Sequence, residues 1–123
     1  MKKEEVKKNF EIVRIRNKWK WGYSVTIIAY GCGVVSVDFE EGYEWGYIKS
    51  LQVAECCQKM GIGTLLMNEA EKVIREEGFN EAQLWVEEGH TYQREWYERL
   101  GYKKIVTQDG YFKMRKIFND GAM

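Results

Sequence analysis

The sequence predicts a mixed α/β (α+β) fold, a mostly antiparallel central sheet with helices packed on it, in the order ββββαβαββ. Three observations predict it. The first half is a series of β-rich runs cut by glycine-containing turns. After Val53 the apolar spacing switches to that of a helix. Strand-like runs then lie on either side of both helical segments, so the strands beside the first helix must include a parallel crossover. With 123 residues, no proline, no repeat and no low-complexity tract, the chain reads as one domain over residues 1–123.

Each element has its own signal. Phe10 to Arg16 alternates partly and is rich in β-branched residues, a first strand, after which Asn17-Lys18 is expected to turn the chain. Trp21 to Ala29 and Gly33 to Phe39 form a hairpin about Tyr30-Gly31-Cys32-Gly33. Glu41-Gly42-Tyr43-Glu44 turns into a fourth strand, Trp45 to Val53, which completes an antiparallel meander. Ile62, Leu65, Leu66, Ala70, Val73 and Ile74 share one face of a helix running from about Gly61 to Glu77, with Gly78 at the capping position. Ala82 to Val86 reads as an interior strand. A second helix from His90 to Leu100 carries Tyr92, Trp96 and Leu100 on one stripe, and Lys104 to Val106 and Tyr111 to Phe118 close the chain as a hairpin about Gln108-Asp109-Gly110.

Composition excludes several classes. Nineteen basic and nineteen acidic residues cancel, whereas a nucleic-acid binder normally shows a strongly basic face, so no nucleic acid partner is expected. Lysines and arginines dominate the opening segment, and Asp38, Glu40, Glu41 and Glu44 make one loop acidic; that loop either attracts a cationic amine or is simply a solvated turn. The start Met1-Lys2-Lys3-Glu4-Glu5 lacks a following apolar region, and Tyr23 to Val37, the most apolar stretch, is too short for a bilayer. The expectation is a cytoplasmic protein with no membrane partner. Three cysteines, two of them adjacent as Cys56-Cys57, suggest neither a disulfide framework nor a metal site, so reduced thiols and no metal are expected.

One segment carries chemistry. A strand ending at Val53 leads through a loop containing Lys59 to a helix start at Gly61-Ile62-Gly63-Thr64. Unpaired amides and the helix dipole favour an anion at such a place, and glycine lets a phosphate approach the backbone. The spacing fits neither a Walker loop nor the three-glycine dinucleotide fingerprint. An ordinary strand-to-helix turn is the competing reading.

The wider context is more specific. Leu51-Gln52-Val53, Gln58-Lys59-Met60-Gly61-Ile62-Gly63 and Leu65-Leu66 together resemble motif A, Q/R-x-x-G-x-G/A, of the GNAT superfamily of acyl-CoA-dependent N-acetyltransferases. Trp96-Tyr97-Glu98-Arg99-Leu100-Gly101-Tyr102 is similar to its motif B. The two cover about Tyr47 to Ile105. The resemblance implies that amides of Met60, Gly61, Ile62, Gly63 and Thr64 hold the diphosphate of acetyl-CoA, with Lys59 adding charge. It implies that the backbone of Leu51, Gln52 and Val53 pairs with the pantetheine arm as an added strand. Tyr97 matches the tyrosine that protonates the departing thiolate. His90 stands where relatives often have an asparagine that contacts CoA, or is a loop or cap residue.

Departures from the pattern leave the acceptor side open. Relatives frequently carry a glutamate base where this chain has Tyr47 and Trp85, so Glu87, Glu88, Glu44 or a water is left to take the ammonium proton. Family members commonly insert one or two helices between the first two strands, and only Asn17 to Lys20 intervenes here. A homodimer burying some of Trp19, Trp21, Tyr43 and Trp45 is one way to complete the acceptor groove; packing of these aromatics within the sheet is the other. The implied activity is acetyl transfer to a primary amine of a small molecule or peptide by direct attack. The alternatives are a non-catalytic acyl-CoA-binding regulatory domain and an unrelated interaction domain.

Overall fold

The computed structural model describes residues 11–118. Phe10, expected to open the first strand, and the lysines before it lie outside them. Seven strands form one sheet: β1 (Ile12–Trp19), β2 (Gly22–Ala29), β3 (Gly33–Glu40), β4 (Gly46–Val53), β5 (Glu81–Glu87), β6 (Lys103–Gln108) and β7 (Tyr111–Ile117). Helix α1 (Ile62–Glu76) connects β4 to β5, and α2 (Thr91–Arg99) connects β5 to β6. A 3-10 turn over Glu55–Cys57 precedes α1. The sheet order is β1-β2-β3-β4-β5-β7-β6. Only β4 and β5 are parallel, the geometry that a helical crossover allows.

The first turn lies later than expected. Asn17 and Lys18 are not in it: they pair with Ser24 and Tyr23 inside the β1–β2 ladder, which runs on to Trp19 opposite Gly22. Uninterrupted pairing of eight residues outweighs the weak turn preference of Asn17, and Lys20-Trp21 makes the reversal.

Alternation then decides the two faces of the sheet. Val25, Ile27 and Ala29 of β2, with Val35, Val37 and Phe39 of β3, are buried on one side. Against them α1 lays Ile62, Leu66, Met67, Ala70, Val73 and Ile74. Helix α2 sits on the same side, since Tyr97 and Tyr102 join this core with Phe112 and Met114 of β7. Burial of such aliphatic and aromatic side chains is worth about 1.5–3 kcal/mol each, which makes this layer the main source of stability. One buried acid crosses it: Glu71 of α1 accepts from Tyr102 Oη at 2.9 Å and from Lys116 Nζ at 3.0 Å. Arg16 and Tyr23 both bond Glu77, which ties the end of α1 to β1 and β2.

The other face carries no helix among the described residues. Register places Trp19, Asp38, Tyr47, Gln83, Trp85 and Lys113 on it, through the pairs Asp38↔Tyr47, Tyr47↔Gln83 and Trp85↔Lys113. This is the consequence of the short β1–β2 connection.

The cysteine expectation is overturned. Cys32, in the β2–β3 turn, and Cys57, at the end of the 3-10 turn, form a disulfide with Cα atoms 5.6 Å apart, while Cys56 is free and exposed. Twenty-five residues of separation hide the pairing in the sequence. The fold creates it by hydrogen-bonding Ala54 N to the Cys32 carbonyl at 2.7 Å, which brings the two segments together.

Candidate active site

The parallel pair β4–β5 holds only at Gly46↔Ala82 and Tyr47↔Gln83. Beyond Tyr47 the strands part. On the other side of β4 the ladder with β3 slips, because Lys49 faces Ser36 and Gln52 faces Val34. Ser50 and Leu51 therefore share the single position opposite Val35, a β-bulge in which Ser50 takes φ 59°. A bulge bends its strand, and here β4 turns away from β5. Leu51 to Val53 are thus bonded to β3 and unpaired toward β5.

That open edge leads into the start of α1. Gly61 is the N-cap residue at φ 79°, with no side chain capping the helix. A left-handed φ suits glycine there, and a methyl group at Gly61 would meet nothing but would strain the backbone. At Gly63 the neighbour is Trp96: a Cβ there would lie 3.4 Å from the indole, in van der Waals contact with it. The first amides of a helix have no partner within it. No hydrogen bond among the described residues takes the amides of Gly61, Ile62, Gly63 or Thr64. The Met60 amide differs, since it donates to the Cys57 carbonyl at 3.2 Å. It is therefore not one of the bare donors expected from the sequence. Gln58 Nε2 donates to the Val53 carbonyl at 3.2 Å and holds the loop against the strand end.

Leu51, Val53, Lys59, Gly61, Ile62, Gly63 and Thr64 come together as the wall of one cleft of about 490 Å3, closed on the far side by Tyr92 and Trp96 of α2. Gln52 is exposed outside it, and Met60 packs partly against the core. His90 is the N-cap residue of α2; its Nε2 lies 2.9 Å from Glu87 Oε2, and it borders the neighbouring depression that shares Tyr92 and Trp96. Tyr97 is only 5% exposed, packed between Trp96 and Tyr102 at centroid distances of 5.0 and 6.0 Å. It lines neither this cleft nor the cavity described next. Burial pushes its phenol above the ordinary range, against a smaller opposing effect of the Gln93 hydrogen bond.

On the bare face of the sheet lies a second hollow, about 320 Å3, walled by Trp19, Tyr43, Trp45, Tyr47 and Trp85, with Asp38, Glu40, Gln83 and Lys113 among them. Asp38 Oδ2 accepts from Lys49 at 2.7 Å, and its buried Oδ1 has no partner. Gln83 Nε2 donates to Glu81 at 2.7 Å, which leaves its buried Oε1 unpartnered as well. Burial also raises the Tyr47 phenol. Gln83 and Lys113 were missed as site residues in the sequence, where Asp38 entered only as part of an acidic loop that either attracts a cationic amine or is a solvated turn. With Asp38 they come from three separate strands and share no local motif; the available signals were that acidic loop and the aromatic run Tyr43-Glu44-Trp45-Gly46-Tyr47. No group of three His, Cys, Asp or Glu among the described residues is placed to hold a metal ion.

Comparison with known proteins agrees with this geometry. The acetyltransferase (GNAT) family model matches residues 8–102. No curated protein sequence matches the chain. Among solved structures, the PaiA N-acetyltransferase of Thermoplasma acidophilum, crystallised with coenzyme A, superposes with a TM-score of 0.66 at 22% identity, over 77% of this chain and 60% of that one. An IAA acetyltransferase from Bacillus cereus gives 0.66 at 14% identity, over 88% of this chain and all of its own. The ribosomal-protein-S18-alanine N-acetyltransferase of Escherichia coli gives 0.64 at 15% identity, over 82% and 72%. The chain thus spans about 60% of the length of the Thermoplasma enzyme. These identities speak for the fold, and the family model, which covers most of the chain, speaks for kinship. The chain belongs to the GNAT acetyltransferase family.

Proposed function

We propose that the protein is an acyl-CoA-dependent N-acetyltransferase that passes an acetyl group from acetyl-CoA to a primary amine by direct attack. One observation carries the reading: the unpaired edge of β4 from Leu51 to Val53 runs into the bare amides of Gly61 to Thr64. The two features suit the two ends of one ligand, a pantetheine arm that pairs like a strand and a diphosphate that seeks amides and a helix N-terminus. Acetyl-CoA would supply the acyl group as a thioester. Lys59, exposed beside the helix start, adds positive charge, and the helix dipole contributes roughly 0.3–1 kcal/mol per anionic group. Tyr92 and Trp96 bound the cleft on its far side.

In this reading Tyr97 is the proton donor to the leaving thiolate. A tyrosine is already protonated at neutral pH, and the raised pKa makes Tyr97 a weaker acid, so donation requires the thiolate to come within hydrogen-bond reach of its hydroxyl. Glu87 is engaged by His90, so Glu44, Glu88 or a water is the better candidate to take the ammonium proton.

The test begins with CoA alone. A hundredfold excess over the dissociation constant should stabilise the protein by about 2.7 kcal/mol, read as a rise in Tm. Thiol release from acetyl-CoA across a panel of primary amines then reports turnover. Absence of any CoA-dependent shift would end the proposal. CoA binding with no turnover on any amine, and no effect of Tyr97→Phe, would favour the second reading, a non-catalytic acyl-CoA binder. That reading draws on Tyr47 and Trp85 standing where relatives have a glutamate base.

A further inference from the structure

The hollow on the bare face presents a mismatch between what it offers and what it contains. Two buried oxygens, Asp38 Oδ1 and Gln83 Oε1, accept no hydrogen bond. Gln83 is 4% exposed, and an unsatisfied buried acceptor costs about 1–3 kcal/mol. Both are acceptors, so a ligand that satisfies them must donate. The walls narrow the chemistry further. Tryptophan and tyrosine faces attract cations, and the protein already uses them in that way: Lys113 Nζ lies 5.5 Å from the ring centroids of both Trp45 and Trp85. The charged groups facing the space are Asp38, Glu40 and Lys113, with Lys49 held on the outer oxygen of Asp38. Remove Lys113 from the aromatics and what remains is an aromatic cage with two carboxylates, one carboxamide oxygen and room for an alkyl chain.

We propose that this cavity binds the amine acceptor in its alkylammonium form, and that the acceptor enters by displacing the Lys113 side chain from between Trp45 and Trp85. Lysine is suited to such exchange, since its ammonium is carried on a flexible stem and gains little by staying on a half-exposed ring. The incoming ammonium keeps a cation on the indoles and brings donors into a space whose wall holds two oxygens, Asp38 Oδ1 and Gln83 Oε1, that accept from nothing else. The inference rests on the transferase reading for the word acceptor, but the ammonium site stands or falls separately. It names a substrate class: primary alkylamines, rather than anionic or neutral acceptors.

The experiment titrates n-butylammonium and, as its neutral counterpart, n-butanol into the full-length protein without CoA, following the indole N–H signals of Trp45 and Trp85 by NMR. CoA binding, measured on the same samples, reports the other site. Butylammonium should shift both indoles and butanol neither. Lys113→Met, which leaves an apolar stem and no resident charge, should tighten butylammonium about tenfold, and Gln83→Leu should weaken it about tenfold. Both variants should bind CoA as before, which also certifies their folding. Equal binding of butanol and butylammonium, or no tightening in Lys113→Met, overturns the proposal. If CoA fails to bind while butylammonium binds as described, the transferase reading falls and the ammonium site remains. If CoA binds and butylammonium does not, the reverse holds.

Discussion

The two hollows of this molecule are built from different materials. The cleft at the start of α1 is a backbone site: its donors are amides, its shape comes from a bulge and two glycines, and most of its side chains could change without altering what it offers. The cavity on the bare face is a side-chain site, assembled from β1, β3, β4, β5, β7 and the β3–β4 loop. The first sits over a thick core and the second on a sheet face that nothing covers among the described residues. A backbone site can bind a chemical group common to many ligands, whereas a side-chain site can be re-specified one residue at a time. That division suits an enzyme family in which one co-substrate is shared and the acceptor varies.

The largest expected effect falls on the cleft's foundation. The Cys32–Cys57 disulfide closes 25 residues and anchors the loop that delivers Lys59 and Gly61. Its removal by Cys32→Ser should cost about 3.5 kcal/mol by loop-closure entropy, measured by urea denaturation. Thiol titration of the unreduced, denatured protein should count one reactive thiol, Cys56, rather than three. The ammonium site, which does not rest on that loop, should keep its affinity in the folded fraction.

Next comes the buried acid. Glu71→Ala leaves Lys116 and the Tyr102 hydroxyl without their partner inside the helix layer. A broken buried ion pair costs about 3 kcal/mol, and the partial exposure of Lys116 holds the value to that lower end. The same denaturation measurement should show the loss. Glu71→Gln, which keeps an acceptor of similar shape, should recover part of it.

Two substitutions separate binding at the cleft from the proposed proton donation by Tyr97. Tyr97→Phe keeps the ring packed against Trp96 and Tyr102 and should leave Tm nearly unchanged, while kcat falls about 100-fold and KM for acetyl-CoA holds. An unchanged kcat would reduce Tyr97 to a packing residue. Gly63→Val brings branched carbons to the Trp96 ring and across the bare amides, and should weaken CoA about 30-fold in calorimetric titration.

These sites also differ in how far they could be read from the chain. Apolar periodicity located all seven strands and both helices, because the helix layer is written locally as Ile62, Leu66, Ala70, Val73 and Ile74 on one face. The cleft was readable for a related reason: a backbone site leaves its mark as Gly61 and Gly63 at fixed distance from Val53. The bulge at Ser50 was not readable, since it arises from a mismatch between the β3 and β5 pairings of one strand. Neither was the disulfide, nor the meeting of Asp38, Gln83 and Lys113, which are neighbours only through cross-strand register. Tyr47 and Trp85 were noticed as departures at glutamate positions; the structure gives them a shared place as walls of one cavity.

The smallest effect at neutral pH belongs to the buried phenols, and it emerges only in alkali. Burial raises the pKa of both Tyr97 and Tyr102, and for Tyr102 the adjacent Glu71 carboxylate adds to the shift. In the unfolded chain a tyrosine ionises near pH 10. Below that pH both states hold the proton and the tyrosines contribute no pH dependence. Above it the unfolded chain releases protons that the folded protein still keeps, so the native state binds more protons and stability falls as pH rises. Denaturation midpoints should therefore be flat in this respect up to about pH 10 and decline beyond it. Tyr102→Phe should flatten the decline, because it removes the more strongly shifted of the two groups from the helix layer. Tyr47 in the cavity is raised by burial as well, yet it is partly open to solvent. If Tyr47→Phe flattened the alkaline limb as much as Tyr102→Phe, the bare face would be contributing to the cooperative core, and the contrast between a structural face and a recognition face would have to be given up.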